Sequence, residues 1–157
     1  MYGGGRRGLM GALADAALSE GGEVIGVIPR AMVDREVAHD AVSELLVVKS
    51  MHERKLVMTQ RADAFLTLPG GTGTLDEFVE ALSWAQLGIH AKPSGLLNAD
   101  RFFDGLVAFF ASAAAAGFLP DDFGSLLLVD DDIERLVDRL AAWRPPRPER
   151  WLGAGDA

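Results

Sequence analysis

Short apolar, largely β-branched runs at residues 23–28, 44–48, 64–68, 94–97 and 126–129 alternate with stretches of helical periodicity at residues 8–20, 50–62, 74–87, 101–116 and 131–143. An apolar run without polar alternation has to be buried on both faces, and the stretches between are long enough to supply the helices that cover those faces. The pattern is that of βαβ units, and it predicts an α/β fold with a doubly wound parallel sheet and helices on both faces. Helix ends are marked in the sequence. Gly21-Gly22 and Gly117 read as C-terminal stops, and Ser50 and Thr74 read as N-caps, each with a glutamate three positions later.

No internal repeat interrupts this order, and residues 1–143 read as one nucleotide-binding domain. Residues 144–157, with Pro145, Pro146, Pro148 and a Gly-Ala-Gly stretch, read as a poorly ordered tail. The start is unusual. Met1-Tyr2 leads directly into Gly3-Gly4-Gly5, a turn that in such a fold follows a strand, so a strand is missing upstream: either the domain is built without it or the protein starts earlier.

Composition narrows the chemistry. A chain of 157 residues, 49% hydrophobic and 24% charged, carries enough apolar surface for one core. Without cysteine there is no disulfide framework, thiolate metal site or cysteine nucleophile. No apolar run approaches the roughly 18 residues of a membrane span, and glycines and arginines stand where a signal peptide would be apolar, so the chain reads as soluble and cytoplasmic with no membrane partner. With 15 basic and 23 acidic residues the net charge is −8, which opposes binding to a nucleic acid. A phosphate bound here must be held locally.

Three constellations can do that. Pro69-Gly70-Gly71-Thr72-Gly73-Thr74 lies between a strand and a helix, where backbone amides of Gly70, Gly71, Thr72, Gly73 and Thr74 can converge on an anion; the alternative is a tight turn without a ligand. Glu77 is either the second half of a capping box with Thr74 or a carboxylate within reach of the sugar of a bound nucleotide, and spacing alone leaves both open.

The second constellation is Met51-His52-Glu53-Arg54-Lys55. Arg54 shares a helical stripe with Met51, Val57 and Met58, a face that looks buried, and a buried guanidinium needs an anionic partner; that partner is either a ligand or a structural ion pair. Glu53 reads as a capping partner of Ser50, Lys55 as either a ligand group or a solvated charge, and His52 has no companions for a metal site. The third is the glycine turn around Gly4, Gly5 and Gly8, a weak dinucleotide fingerprint. NAD is disfavoured because Val27-Ile28 runs into Pro29 with no acidic residue to take a ribose.

One helix looks apolar on two faces: Leu75, Phe78, Val79, Leu82 and Ala85 on one, with Ala81, Trp84 and Leu87 largely off it. That pattern points to a homodimer or to a second buried layer.

Pro-Gly-Gly-Thr-Gly-Thr-Leu-Asp-Glu at 69–77 and Met-His-Glu-Arg-Lys at 51–55 together resemble the Lonely Guy family, the cytokinin riboside 5′-monophosphate phosphoribohydrolases. The similarity runs from Tyr2-Gly3-Gly4-Gly5 through Trp84 to His90 and on to Gly95-Leu96-Leu97-Asn98. It implies a Rossmann-like homodimer without metal or redox cofactor that hydrolyses the N-glycosidic bond of cytokinin riboside 5′-monophosphates, or of AMP, to free base and ribose 5-phosphate. Glu77 and Arg54 would be catalytic, and Gly70 to Thr74, with Lys55 and Met51, would bind the nucleotide. An older lysine decarboxylase label for such proteins suits this chain badly, since no pyridoxal-binding lysine context is apparent. A non-catalytic nucleotide carrier or sensor is the alternative reading. Two departures stand out: where relatives carry a glycine before an aromatic pair, Arg101 precedes Phe102-Phe103, and the resemblance implies a first strand and helix that this sequence lacks ahead of Tyr2.

Overall fold

The computed structural model describes residues 1–33, 35 and 37–146. The chain divides into two compact units, Met1–Ala62 and Asp63–Ala157. The expected tail at 144–157 falls mostly outside the described residues.

The first unit contains α1 (Gly8–Ser19), β1 (Ile25–Pro29), a short α2 (Arg30–Val33), β2 (Glu44–Val48) and α3 (Met51–Arg61). β1 and β2 are parallel, Ile25 opposite Glu44 through Pro29 opposite Val48. On the side of β1 away from β2, Tyr2 pairs in parallel with Gly26: its N–H donates to Ile25 O and its carbonyl accepts from Val27 N–H, both at 2.9 Å. Val27 and Ile28 are fully buried, and α3 packs on β1 and β2. α1 ends as the sequence indicates. Gly21, at φ 76°, takes a left-handed conformation in which Gly21 and Gly22 N–H reach Leu18 O and Ala17 O, satisfying the last carbonyls of the helix.

The second unit contains β3 (Phe65–Thr67), α4 (Thr72–Gln86), β4 (Ser94–Leu97), α5 (Asp104–Ala115), β5 (Leu127–Asp130) and α6 (Ile133–Ala142). Its sheet is wholly parallel in the order β3-β4-β5, with β4 central. Phe78, Leu82, Leu96, Phe103, Phe123 and Leu126 form the core, and burying side chains of this size contributes roughly 1.5–3 kcal/mol each. Leu136 and Leu140 of α6 pack against Gly95 of β4, where a Cβ would stand 3.0 Å from the Leu136 side chain.

The expected α/β class, with parallel strands and helical crossovers, is thus what the chain forms, and all five strands and five long helices lie within a few residues of their sequence positions. Two boundaries differ for physical reasons. The helix expected from residue 101 begins at Asp104, because Asp100 and Arg101 have φ of 51° and 61° and cannot continue a right-handed helix. The helix expected to be capped by Thr74 begins at Thr72 with Gly71 as its N-cap. α4 buries Phe78, Ala81 and Leu82, while Val79 and Leu87, one from each expected apolar face, are exposed.

Candidate active site

In the second unit, Gly70 and Gly71 join the end of β3 to α4. Leu75 N–H makes the first intrahelical bond, to Gly71 O at 3.1 Å. The amides of Thr72, Gly73 and Thr74 therefore precede the hydrogen-bonded ladder, and the cap residue, Gly71, offers them no side chain. No acidic residue lies in the first turn of this 15-residue helix, whose N-terminus carries the positive end of the helix dipole. Gly71, Thr72 and Gly73 are exposed. Gly70 has a specific reason to lack a side chain: a Cβ there would overlap Thr74 Oγ1 and approach Thr74 Cβ to 2.8 Å. The Thr74 hydroxyl is folded back over the loop.

This placement corrects the expectation that Thr74 is an N-cap, and with it the Thr74 capping box considered for Glu77. A capping-box glutamate stands three residues after the cap, whereas Glu77 is six residues after Gly71, one turn too far to reach back to the cap amide. Glu77 is half-buried.

In the first unit, α3 is capped as the sequence predicts. Ser50 Oγ accepts from Glu53 N–H at 3.1 Å. Glu53 Oε2 in turn accepts from Lys49 N–H at 2.6 Å, one residue before the position of an ordinary capping box, and this holds the helix entry closed. Glu53 is accounted for structurally. His52 is exposed, whereas Arg54 and Lys55 are buried, at 6% and 8% exposure. Arg54 Nη1 donates to Met51 Sδ at 3.7 Å. Arg54 is buried as its stripe suggested, and so is Lys55, but the stripe as a whole is not: Val57 and Met58 are half-buried and Met51 is exposed.

The glycine turn is stitched on both sides. Arg6 N–H donates to Val37 O and His39 N–H to Gly4 O, each at 2.9 Å, and Gly5 bridges Ala38 in antiparallel sense. Gly8, at φ 61°, opens α1. His39, buried, holds this arrangement from the side: its Nδ1 accepts from Ala41 N–H at 3.3 Å, so Nε2 carries the proton that meets Asp15 Oδ1 at 2.9 Å. Sequence reasoning passed over His39 because a lone histidine in a polar loop carries no spacing signal. Tyr2, beside this turn, has its phenol pushed up by burial and by Asp15.

At the end of β4, Asn98 organises the segment containing the Arg101 departure. Its side chain accepts from Phe103 N–H at 2.7 Å and donates to Asp104 Oδ1 at 2.9 Å. Arg101 Nε donates to Asp104 Oδ2 at 2.7 Å. Together these hold Arg101 in the left-handed region that a glycine would occupy without strain.

A family model described as possible lysine decarboxylase matches residues 10–140. Two motifs placed at the entries of α3 and α4, on a parallel α/β scaffold, accompany closer likenesses. The chain is 51% identical, over 92% of its length and 64% of the relative's, to a protein of Oryza sativa subsp. japonica named probable cytokinin riboside 5′-monophosphate phosphoribohydrolase. It is 42% identical, over 92% of its length and 64% of the relative's, to one cytokinin riboside 5′-monophosphate phosphoribohydrolase of Arabidopsis thaliana. A second from the same plant is 40% identical over 92% of this chain and 68% of the relative. The chain belongs to the Lonely Guy family. It spans about two thirds of the length of these relatives, 64% for the first two. Within the family's motifs, the glycine loop of 69–74 opens α4 and the Met-His-Glu-Arg-Lys run forms the first turns of α3.

Proposed function

We propose that the protein is a nucleoside 5′-monophosphate phosphoribohydrolase, cleaving the N-glycosidic bond of cytokinin riboside 5′-monophosphates or AMP. The observation that carries this reading is Glu77. Glu77 stands in the second turn of α4, directly after a helix start whose first amides precede the hydrogen-bonded ladder and suit a phosphate. A phosphate held by Gly70, Gly71, Thr72, Gly73 and Thr74 fixes the nucleotide remotely from the reacting bond, so that binding energy positions the sugar. Glycosidic cleavage builds positive charge on the sugar ring, which a carboxylate stabilises while it orients the attacking water. Water adds its oxygen to the anomeric carbon, the C–N bond breaks, and the base leaves with a proton. Arg54 is the cationic partner in the reaction, and Lys55 and Met51 complete the nucleotide contacts.

The exposure of Val79 and Leu87 on α4 supports a homodimer formed through that helix. Among the described residues no helix is long and apolar enough to cross a membrane, and the lack of cysteine supports a cytoplasmic setting. Incubation with AMP and isopentenyladenosine monophosphate, followed by assay of ribose 5-phosphate, tests the activity. Release of sugar from either supports it, while binding of both without release replaces it with a carrier.

A further inference from the structure

The glycine turn of the first unit has a feature that neither its pairing nor its entry into α1 requires. Gly3 is buried, and a Cβ built on it would overlap Arg54 Nη2 and stand 2.9 Å from Arg54 Cζ. The guanidinium of Arg54 therefore lies directly against the Gly3 backbone. The same Cβ would stand 3.0 Å from Met10 Cε, and one on Gly5 would stand 3.2 Å from that atom, so the Met10 side chain packs over both glycines. From its own helix, Arg54 is held by Met51 Sδ on Nη1. Gly3 itself has an ordinary backbone conformation, unlike Gly4 at φ 72°. Backbone freedom does not explain the absence of a side chain at Gly3. Space does.

We propose that Gly3 is a positioning residue for Arg54: by lacking a side chain it leaves the seat in which the Arg54 guanidinium lies, and Met51 fixes the guanidinium's Nη1 within that seat. The proposal rests on the phosphoribohydrolase reading for its catalytic consequence, but the seat itself does not. A methyl group at Gly3 would have to push aside the guanidinium's Cζ and Nη2; these end a flexible side chain, so it is the burial of Arg54 that makes a shift of the whole planar group costly. A displacement on the order of 1 Å of a group that orders a reacting sugar costs up to about a hundredfold in rate. Because Arg54 is buried, it has little room to take an alternative rotamer. Lysine at the same position would place a compact ammonium on a flexible stem, which can bend around a methyl group where the planar guanidinium cannot.

The test is a double-mutant cycle on the full chain, with Gly3→Ala, Arg54→Lys and the double variant assayed for ribose 5-phosphate release. Gly105→Ala, whose Cβ meets nothing within 4 Å in α5, is the control. Gly3→Ala is expected to lower kcat by about 10- to 100-fold with KM changed less than about threefold, and to lower it by less than about threefold in the Arg54→Lys background. Equal losses in both backgrounds would overturn the proposal. The arginine Nε–H signals in nitrogen-15 NMR provide a readout independent of turnover, with the Arg54 signal identified by its loss in Arg54→Lys. It should move in Gly3→Ala and stay fixed in Gly105→Ala. An unmoved signal in folded Gly3→Ala protein refutes the seat, whereas a signal that moves in Gly3→Ala while the wild-type protein releases no sugar keeps the seat and removes only the hydrolase reading.

Discussion

His90 provides a quantitative check on the second unit. Its ring is buried, at 8% exposure, and packs on Phe65 with centroids 5.3 Å apart. Nδ1 accepts from Lys92 N–H at 3.3 Å, so the neutral tautomer carries its proton on the buried Nε2. Burial, and secondarily repulsion from Lys92, push the imidazole from 6.5 down to about 4, with backbone hydrogen bonding at Ala81 and at His90 itself offsetting part of the effect. A lowered value in a base means that the unfolded chain binds the proton first. Stability is full above the unfolded value, is lost as pH falls from about 6.5 to about 4, and levels off below that. At about 1.4 kcal/mol per pKa unit the loss has an upper bound of about 3.5 kcal/mol, and allowing for solvent reaching the ring edge lowers it to about 2 kcal/mol. Asp104 and Asp130 do not confuse this window. Hydrogen bonds from Asn98 and Arg101 in the first case, and chiefly from Arg135 in the second, hold both carboxyls below their usual range, so their contributions are lost only below about pH 4. Urea unfolding followed by tryptophan fluorescence at about pH 7, 5.5 and 4.5 should show the loss in the wild type and a much flatter profile in His90→Gln. Equal slopes in the two proteins would refute the assignment of the effect to His90.

Two further outcomes follow from backbone geometry. Gly70→Ala should displace Thr74, lowering stability by roughly 1–3 kcal/mol and weakening binding of a nucleoside monophosphate in titration calorimetry, whereas Gly73→Ala, whose Cβ would meet nothing within 4 Å, should fold normally. Arg101→Gly should relieve a left-handed conformation worth about 1 kcal/mol while giving up an exposed ion pair with Asp104 worth a few tenths of that, and a lowered melting temperature would contradict the strain.

The periodicity of the apolar runs was enough to place every strand, because a strand buried on both faces has few alternative readings, and Gly21 and Gly117 marked helix ends because only glycine takes their backbone shape at no cost. The entry to α4 was less legible. Thr74-x-x-Glu77 has the spacing of a capping box, but amides already belonging to a helical turn cannot be seen in spacing, and the true cap, Gly71, has no side chain to signal it. Burial of Arg54 could be read from its stripe with Met51, Val57 and Met58. Its contact with Gly3 could not, since 51 positions separate the two and only folding brings them together. His39 was invisible for the same reason: its partner Asp15 lies on another element. The short α2 was also missed, because four residues carry too little periodicity to register.

The central claim is that Glu77 is a catalytic carboxylate and not a helix cap. Its most direct test compares wild type and Glu77→Gln for binding of isopentenyladenosine monophosphate and for release of ribose 5-phosphate, with melting temperature measured alongside. The account predicts unchanged stability, nucleotide affinity within about threefold, and turnover reduced by at least about a hundredfold. A variant that melts well below the wild type while retaining its turnover would show that the carboxylate serves the helix, and would contradict the account.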